Sequence, residues 1–146
     1  AHCFSGKLIA PERLHISLFF LGGLPGQMPR AVCEAANRVR ISPFEVSFDR
    51  TASFRGRPGS SPFVLIGGDG LSQLKSFRQE LGVMLTRQGL RGDAKMNFEP
   101  HVTLLYDDRS VKEYPVAEPV SWVVNEFVLI HSLNGHRRLA SWRLRT

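Results

Sequence analysis

The sequence has no long hydrophobic run. Its most apolar stretches, "HISLFFLGGLPG" and "FVLIGG", fall far short of the roughly 20 residues that cross a bilayer as a helix, and no charged, apolar, small-residue signal pattern opens the chain. A cytoplasmic protein without a membrane partner is expected. Cysteine is as scarce: Cys3 and Cys33 are the only two, with no CxxC pair. That argues against a secreted disulfide scaffold and leaves two thiols packed as small apolar residues. No HExxH or CxxC spacing exists either, so a zinc site built from His15, His101 and His131 has no motif behind it. The glycine-rich "GGLPG" and "GGDG" fit neither the Walker nor the dinucleotide fingerprint and read as turns. No low-complexity stretch or linker divides the 146 residues, so a single domain spanning 1–146 is expected.

Acidic residues are also in deficit. Thirteen Asp and Glu against nineteen Lys and Arg give a formal net charge of +6 and a sequence pI near 10.0. A surface this basic attracts polyanions and steers them, so phosphate-rich partners are in view. The 42% hydrophobic and 22% charged fractions are those of a chain that folds around an ordinary core.

Glycine and proline cut the chain into short elements. "RLHISLFFLG" reads as a strand ending at Gly22-Gly23, and "MPRAVCEAANRVR" as a helix with Ala31, Val32, Ala35, Ala36 and Val39 on its apolar face. "FEVSFDRTASF" and "SPFVLIGG" form a hairpin with the arginine-rich tip "RGRPGS". Residues 70–90 hold a helix whose stripe is Leu71, Leu74, Phe77, Leu81, Met84 and Leu85, closed by Gly89. "HVTLLY" is a strand, "WVVNEFVLIHSL" a longer one, and "RRLASWRLR" another, reached through the Asn134-Gly135 turn. Between them "DRSVKEYPVAEP" holds a short, proline-broken helical part. The order repeats, which predicts an α+β fold of two similar lobes, each a small antiparallel sheet with helices on its outer face.

"HISL" and "HVTL" carry the chemistry. Residues i and i+2 of a strand share a face, so His15 and Ser17 project together, as do His101 and Thr103, while Ile16, Leu18, Phe20, Val102 and Leu104 turn to the core. The motifs are 86 residues apart, a spacing that suits one per lobe. Histidine is the side chain that works as acid or base near neutral pH with little tuning. Two of them flanking a phosphodiester can take a proton from water on one side and give one to the leaving oxygen on the other, each worth roughly 10²–10⁴-fold in rate. The hydroxyls of Ser17 and Thr103 are neutral donors for non-bridging oxygens. No cofactor or metal is called for. His131 reads as a packed strand residue, His2 as part of a frayed terminus and His136 as exposed. Phe54, Arg55 and Arg57 combine an aromatic ring with two cations, the pairing that stacks an RNA base and grips its backbone.

The two motifs resemble the paired H-x-[ST]-x signatures of the two-histidine (2H) phosphoesterase superfamily, in particular its LigT-like RNA 2′,3′-cyclic phosphodiesterase / 2′-5′ RNA ligase family. "PERLHISLFFLGGLPG", "FEPHVTLLYD" and "VNEFVLIHSLNG" carry the likeness. It implies a bilobal fold whose histidine strands line a central groove, and a monomeric enzyme that opens a terminal 2′,3′-cyclic phosphate on RNA or a nucleotide to a 2′-phosphate. His15 would be the proton donor to the leaving oxygen, His101 the acceptor that activates water, and Ser17 and Thr103 the phosphate-holding hydroxyls. Tyr106 stands where many relatives have an arginine, a charge that Arg55, Arg57, Arg137 or Arg138 would then supply. The strand and helix that relatives carry before "AHCFSGKLIA" are expected to be absent. Three other activities compete with this reading: a 2′-5′ ligase or phosphodiesterase, a hydrolase of small cyclic phosphates, and a basic RNA-binding module without turnover.

Overall fold

The computed structural model describes residues 4, 6–22, 28–90, 98–131 and 137–146. Among them the elements run β1 (Lys7–Leu8), α1 (Met28–Asn37), β2 (Phe44–Ser53), β3 (Ser61–Ile66), α2 (Ser72–Arg87), β4 (Val102–Asp107), β5 (Tyr114–Val124), β6 (Glu126–His131) and β7 (Arg137–Arg143), with single 3-10 turns at Pro11–Arg13 and Asp69–Leu71. Five strands form one sheet in the order β1-β4-β3-β2-β5, and β6 pairs with β7. The β1–β4, β2–β3, β3–β4 and β6–β7 ladders are antiparallel. The α+β class with antiparallel sheets and two helices is the one the sequence predicts.

Tertiary contacts divide the chain into two units: residues 1–17, 47–71 and 99–121, and residues 18–46, 72–98 and 122–146. In the first, the alternation of "FEVSFDRTAS" sets β2 against β3, with Ala52 opposite Val64 and Arg50 opposite Ile66. Ala52, Val64 and Ile66 are buried together and Phe54 packs against them. The expected arginine tip closes through Arg57 and Ser60, with Gly59 at φ +80° after Pro58. That is the conformation a proline-glycine type II turn requires.

The second unit holds both α-helices. Val32, Ala35, Ala36 and Val39 are buried on one side, and Leu74, Phe77, Leu81 and Leu85 on the other. Helix α2 ends as its sequence foretells: Gly89 (φ +76°) donates to the Thr86 carbonyl at 2.9 Å and Leu90 to the Leu85 carbonyl at 3.1 Å, a Schellman cap. Phe77 meets Phe44 and Phe127, Phe127 stacks on Trp142, and the Trp142 indole donates to Asn37.

Several expectations are corrected. "RLHISLFFLG" is not a regular strand: only Ile16 bridges, because the neighbouring stretch of the β4 edge is taken by β1 and the Leu18 carbonyl accepts from the Arg78 guanidinium at 2.9 Å. Phe20 is 77% exposed rather than in the core. Phe19 packs instead, under the Arg78 guanidinium at 4.4 Å and on Gly82, where a Cβ would meet its ring at 3.1 Å. Half of the segment read as proline-broken helix, residues 114–119, falls in β5, which lies at the edge of its sheet, the place where a strand tolerates prolines such as Pro115 and Pro119. "WVVNEFVLIHSL" divides at Asn125, whose carbonyl accepts from Leu144. Finally, both histidine motifs fall in the first unit and both α-helices in the second.

Candidate active site

Strand β4 has two neighbours. On one edge Thr103 pairs with Val64 and Val102 with Leu65. On the other, Lys7 and Leu8 pair with Tyr106 and Leu105, and Ile16 bridges Val102. Five residues, 10–14, stand out of that edge between Ile9, which donates to the Leu104 carbonyl, and His15. Proline at position 11 starts the 3-10 turn that takes up this slack.

The Ile16–Val102 bridge sets the register of the two motifs. Carried one residue to either side of the Ile16–Val102 bridge, an antiparallel register sets His15 against Thr103 and Ser17 against His101. All four side chains leave the same face of the antiparallel pair. Each histidine thus has the other motif's hydroxyl residue directly across, at a Cβ separation of about 4.5–5.5 Å, and the two histidines occupy a diagonal of roughly 7–8 Å. Imidazole and hydroxyl alternate around a square. Its hydroxyls hold one diagonal and its imidazoles the other.

The rings are held alike. His15 Nδ1 lies 2.8 Å from the Arg13 carbonyl oxygen and His101 Nδ1 lies 2.9 Å from that of Glu99, each two residues back. A carbonyl only accepts, so Nδ1 carries the hydrogen in both rings, which leaves Nε2 as the nitrogen with a free lone pair in the neutral ring. His15 and Ser17 are exposed, His101 and Thr103 half-buried. The Phe54 ring meets the His101 imidazole edge-on, 4.9 Å between centroids and 67° between planes.

A β-bulge lets this face stay polar while β4 continues to bury leucine. Pairing with β3 shifts between Phe63 and Val64, which face Leu105 and Thr103, so Leu104 is the extra residue. Past it the alternation is reset: Val102, Leu105 and Asp107 are buried and Tyr106 is 43% exposed. Leu104, expected in the core, is half-buried for that reason. Arg55 and Arg57 are exposed on the tip of the same unit. Arg137 and Arg138 are exposed in the other unit, Arg138 facing Glu126 at 3.8 Å. His131, expected to be packed, is exposed at the end of β6, and His2 and His136 lie outside the described residues. Among the described residues no three His, Cys, Asp or Glu side chains gather into a metal-binding group. Cys33 is a half-buried free thiol, and Cys3 lies outside the described residues.

The β1 edge beside the site is tied to a carboxylate. Buried Asp107 accepts from the Gly6 amide at 3.1 Å and the Arg109 amide at 3.2 Å. A hydrogen bond from the Asp108 carboxyl, then these amides, hold Asp107 below its ordinary pKa, while the same contact raises Asp108. A lowered acid stabilises above its unfolded pKa and loses that contribution as pH falls through the folded value; a raised one behaves oppositely. Asp107→Asn is therefore expected to lower the urea midpoint at pH 7 and to converge on the parent towards pH 3. Asp108→Asn should match or exceed the parent at pH 7, and titrating the urea midpoint of both variants from pH 7 to 3 checks the pair.

The chain matches the model of the 2′-5′ RNA ligase superfamily over residues 4–136. It belongs to that superfamily. Among the relatives of this superfamily member, the RNA 2′,3′-cyclic phosphodiesterase of Archaeoglobus fulgidus is 32% identical over 98 residues, 67% of this chain and 54% of the relative. That of Escherichia coli is 29% identical over 132 residues, 88% of this chain and 71% of the relative. The match thus spans little more than half the length of the archaeal protein. The crystal structure of E. coli LigT complexed with 3′-AMP superposes with a TM-score of 0.74 at 26% identity, covering 97% of this chain and 83% of that one. The resemblance inferred from the two histidine motifs is the family the comparisons show.

The diagonal arrangement and the two carbonyls that set the tautomers were not read from the sequence. The signal was nonetheless present: two H-x-[ST] triplets paired antiparallel about their central residues can only place each histidine against the other's hydroxyl.

Proposed function

We propose that this superfamily member hydrolyses 2′,3′-cyclic phosphates at RNA ends, leaving a 2′-phosphate, by acid–base catalysis between His101 and His15. The observation that carries the reading is the Ile16–Val102 bridge, because the square it implies has the layout an in-line displacement at phosphorus needs. His101 Nε2 accepts a proton as water attacks, the P–O3′ bond breaks, and His15 Nε2 donates a proton to the departing O3′. The products are a 2′-phosphate and a free 3′-hydroxyl. The Ser17 and Thr103 hydroxyls on the other diagonal donate to the non-bridging oxygens, where charge builds up. The histidines end the turnover with protonation states exchanged and are reset by solvent.

Relatives named RNA 2′,3′-cyclic phosphodiesterase support the substrate class, and the +6 net charge favours a polyanion over a neutral ligand. Arg55 and Arg57 are assigned to the RNA backbone, so affinity for an RNA end should fall steeply with salt. In this scheme no step needs a metal, and turnover is expected to persist in a chelator. Incubating the protein with RNA ending in a 2′,3′-cyclic phosphate, and with the corresponding mononucleotide, tests the assignment. The expected product is a 2′-phosphate, formed faster on RNA than on the mononucleotide. Tight binding of RNA with no turnover of either would leave only a binding module. The superfamily's ligase name supports a second reading on the same square, in which a 5′-hydroxyl replaces water; adding a 5′-hydroxyl RNA strand and looking for a 2′-5′ linkage tests it.

A further inference from the structure

We propose that Phe54 is a positioning residue that holds the His101 imidazole in its working rotamer and tautomer, a role that rests on the two-imidazole reading above. A histidine ring turns about two side-chain torsions, and one hydrogen bond to a backbone carbonyl restrains only one corner of it. At His101 that corner is Nδ1, bonded to the Glu99 carbonyl at 2.9 Å. The Phe54 ring supplies the second restraint, 4.9 Å away and inclined at 67°, the edge-to-face geometry aromatic rings prefer. Swinging the imidazole away from the Glu99 carbonyl breaks this contact along with the hydrogen bond.

Phe54 is itself fixed. Its amide donates to the Pro62 carbonyl at 2.9 Å, the last bond of the β2–β3 hairpin before the arginine tip. Its ring packs on Ala52, Val64 and Ile66. An aromatic used as a stacking platform presents an open face to a base. The Phe54 ring is half-buried among these partners and spends a contact on the imidazole. It therefore serves the water-activating histidine rather than a nucleobase.

The test compares Phe54→Leu, which keeps an apolar group on Ala52, Val64 and Ile66 but has no ring, with Phe54→Tyr, which keeps the ring. Phe54→Leu is expected to lower kcat about tenfold or more on a 2′,3′-cyclic phosphate, within the roughly 10²-fold that a misplaced group costs, with KM within twofold and Phe54→Tyr near the parent. Nitrogen-15 NMR of His101 should show hydrogen on Nδ1 in the parent and in Phe54→Tyr, and a mixture of tautomers in Phe54→Leu. A raised KM with unchanged kcat would make Phe54 a base platform and overturn the inference, as would an unaltered tautomer in Phe54→Leu. The NMR comparison needs no turnover. A parent protein inactive on every cyclic phosphate would refute the proposed function while the tautomer still decides the role of Phe54.

Discussion

Alanine in place of His101 is expected to lower kcat by roughly 10²–10⁴-fold, and alanine in place of His15 by a similar factor, with KM changing little in either. The two losses should not multiply in the double variant, because a proton taken on one side is useful only when one is given on the other. A sharper version tests the diagonal itself. The paired substitution His15→Ser with Ser17→His keeps two imidazoles and two hydroxyl side chains on the face, but puts the new imidazole at position 17 directly opposite His101, given the Ile16–Val102 bridge. The Cβ separation of the two rings shrinks from about 7–8 Å to about 4.5–5.5 Å. In-line attack and departure lie on opposite sides of phosphorus, so the swapped face should be as inactive as the alanine variants. Steady-state hydrolysis of a 2′,3′-cyclic nucleotide reads all four proteins, and full activity in the swapped variant would remove the diagonal from the mechanism.

That diagonal marks where the sequence stops being informative. Alternation puts His15 with Ser17 and His101 with Thr103 because it depends only on the two-residue repeat of a strand. The α2 stripe and the Gly89 cap are local in the same sense, set by a 3.6-residue period and a positive φ. Register between segments 86 residues apart has no local period behind it. It depends on the excursion of residues 10–14, on the extra Leu104 in β4, and on the Arg78 guanidinium that takes the Leu18 carbonyl out of any ladder. The same holds for β5: two prolines read as breakers until the strand is known to be an edge. Alternation extended past Ser17 points Phe20 to the core, but beyond the isolated Ile16–Val102 bridge the segment is not a strand and alternation no longer holds.

Phe77→Ala should have the opposite signature to the histidine variants. Phe77 is 1% exposed, and its ring lies 5.7 Å from that of Phe44 and 5.1 Å from that of Phe127, which stacks on Trp142 at 5.3 Å. Through the Trp142 indole the cluster also reaches Asn37 at the end of α1. Deleting the ring removes a buried aromatic and leaves a cavity bounded by rings whose own partners restrain their collapse, so a loss of about 3–5 kcal/mol is expected. That is about a third of the roughly 5–15 kcal/mol that holds a typical domain folded. Urea unfolding should show a lower midpoint at unchanged slope, and amide exchange in α2 should accelerate, while hydrolysis in the cold keeps near-parental kcat. His15 and His101 are exposed and half-buried, so their alanine variants should lose rate and keep the urea midpoint. A Phe77→Ala protein that unfolded like the parent would show that the cluster contributes little, and one that stayed folded but lost turnover would place Phe77 in support of the site.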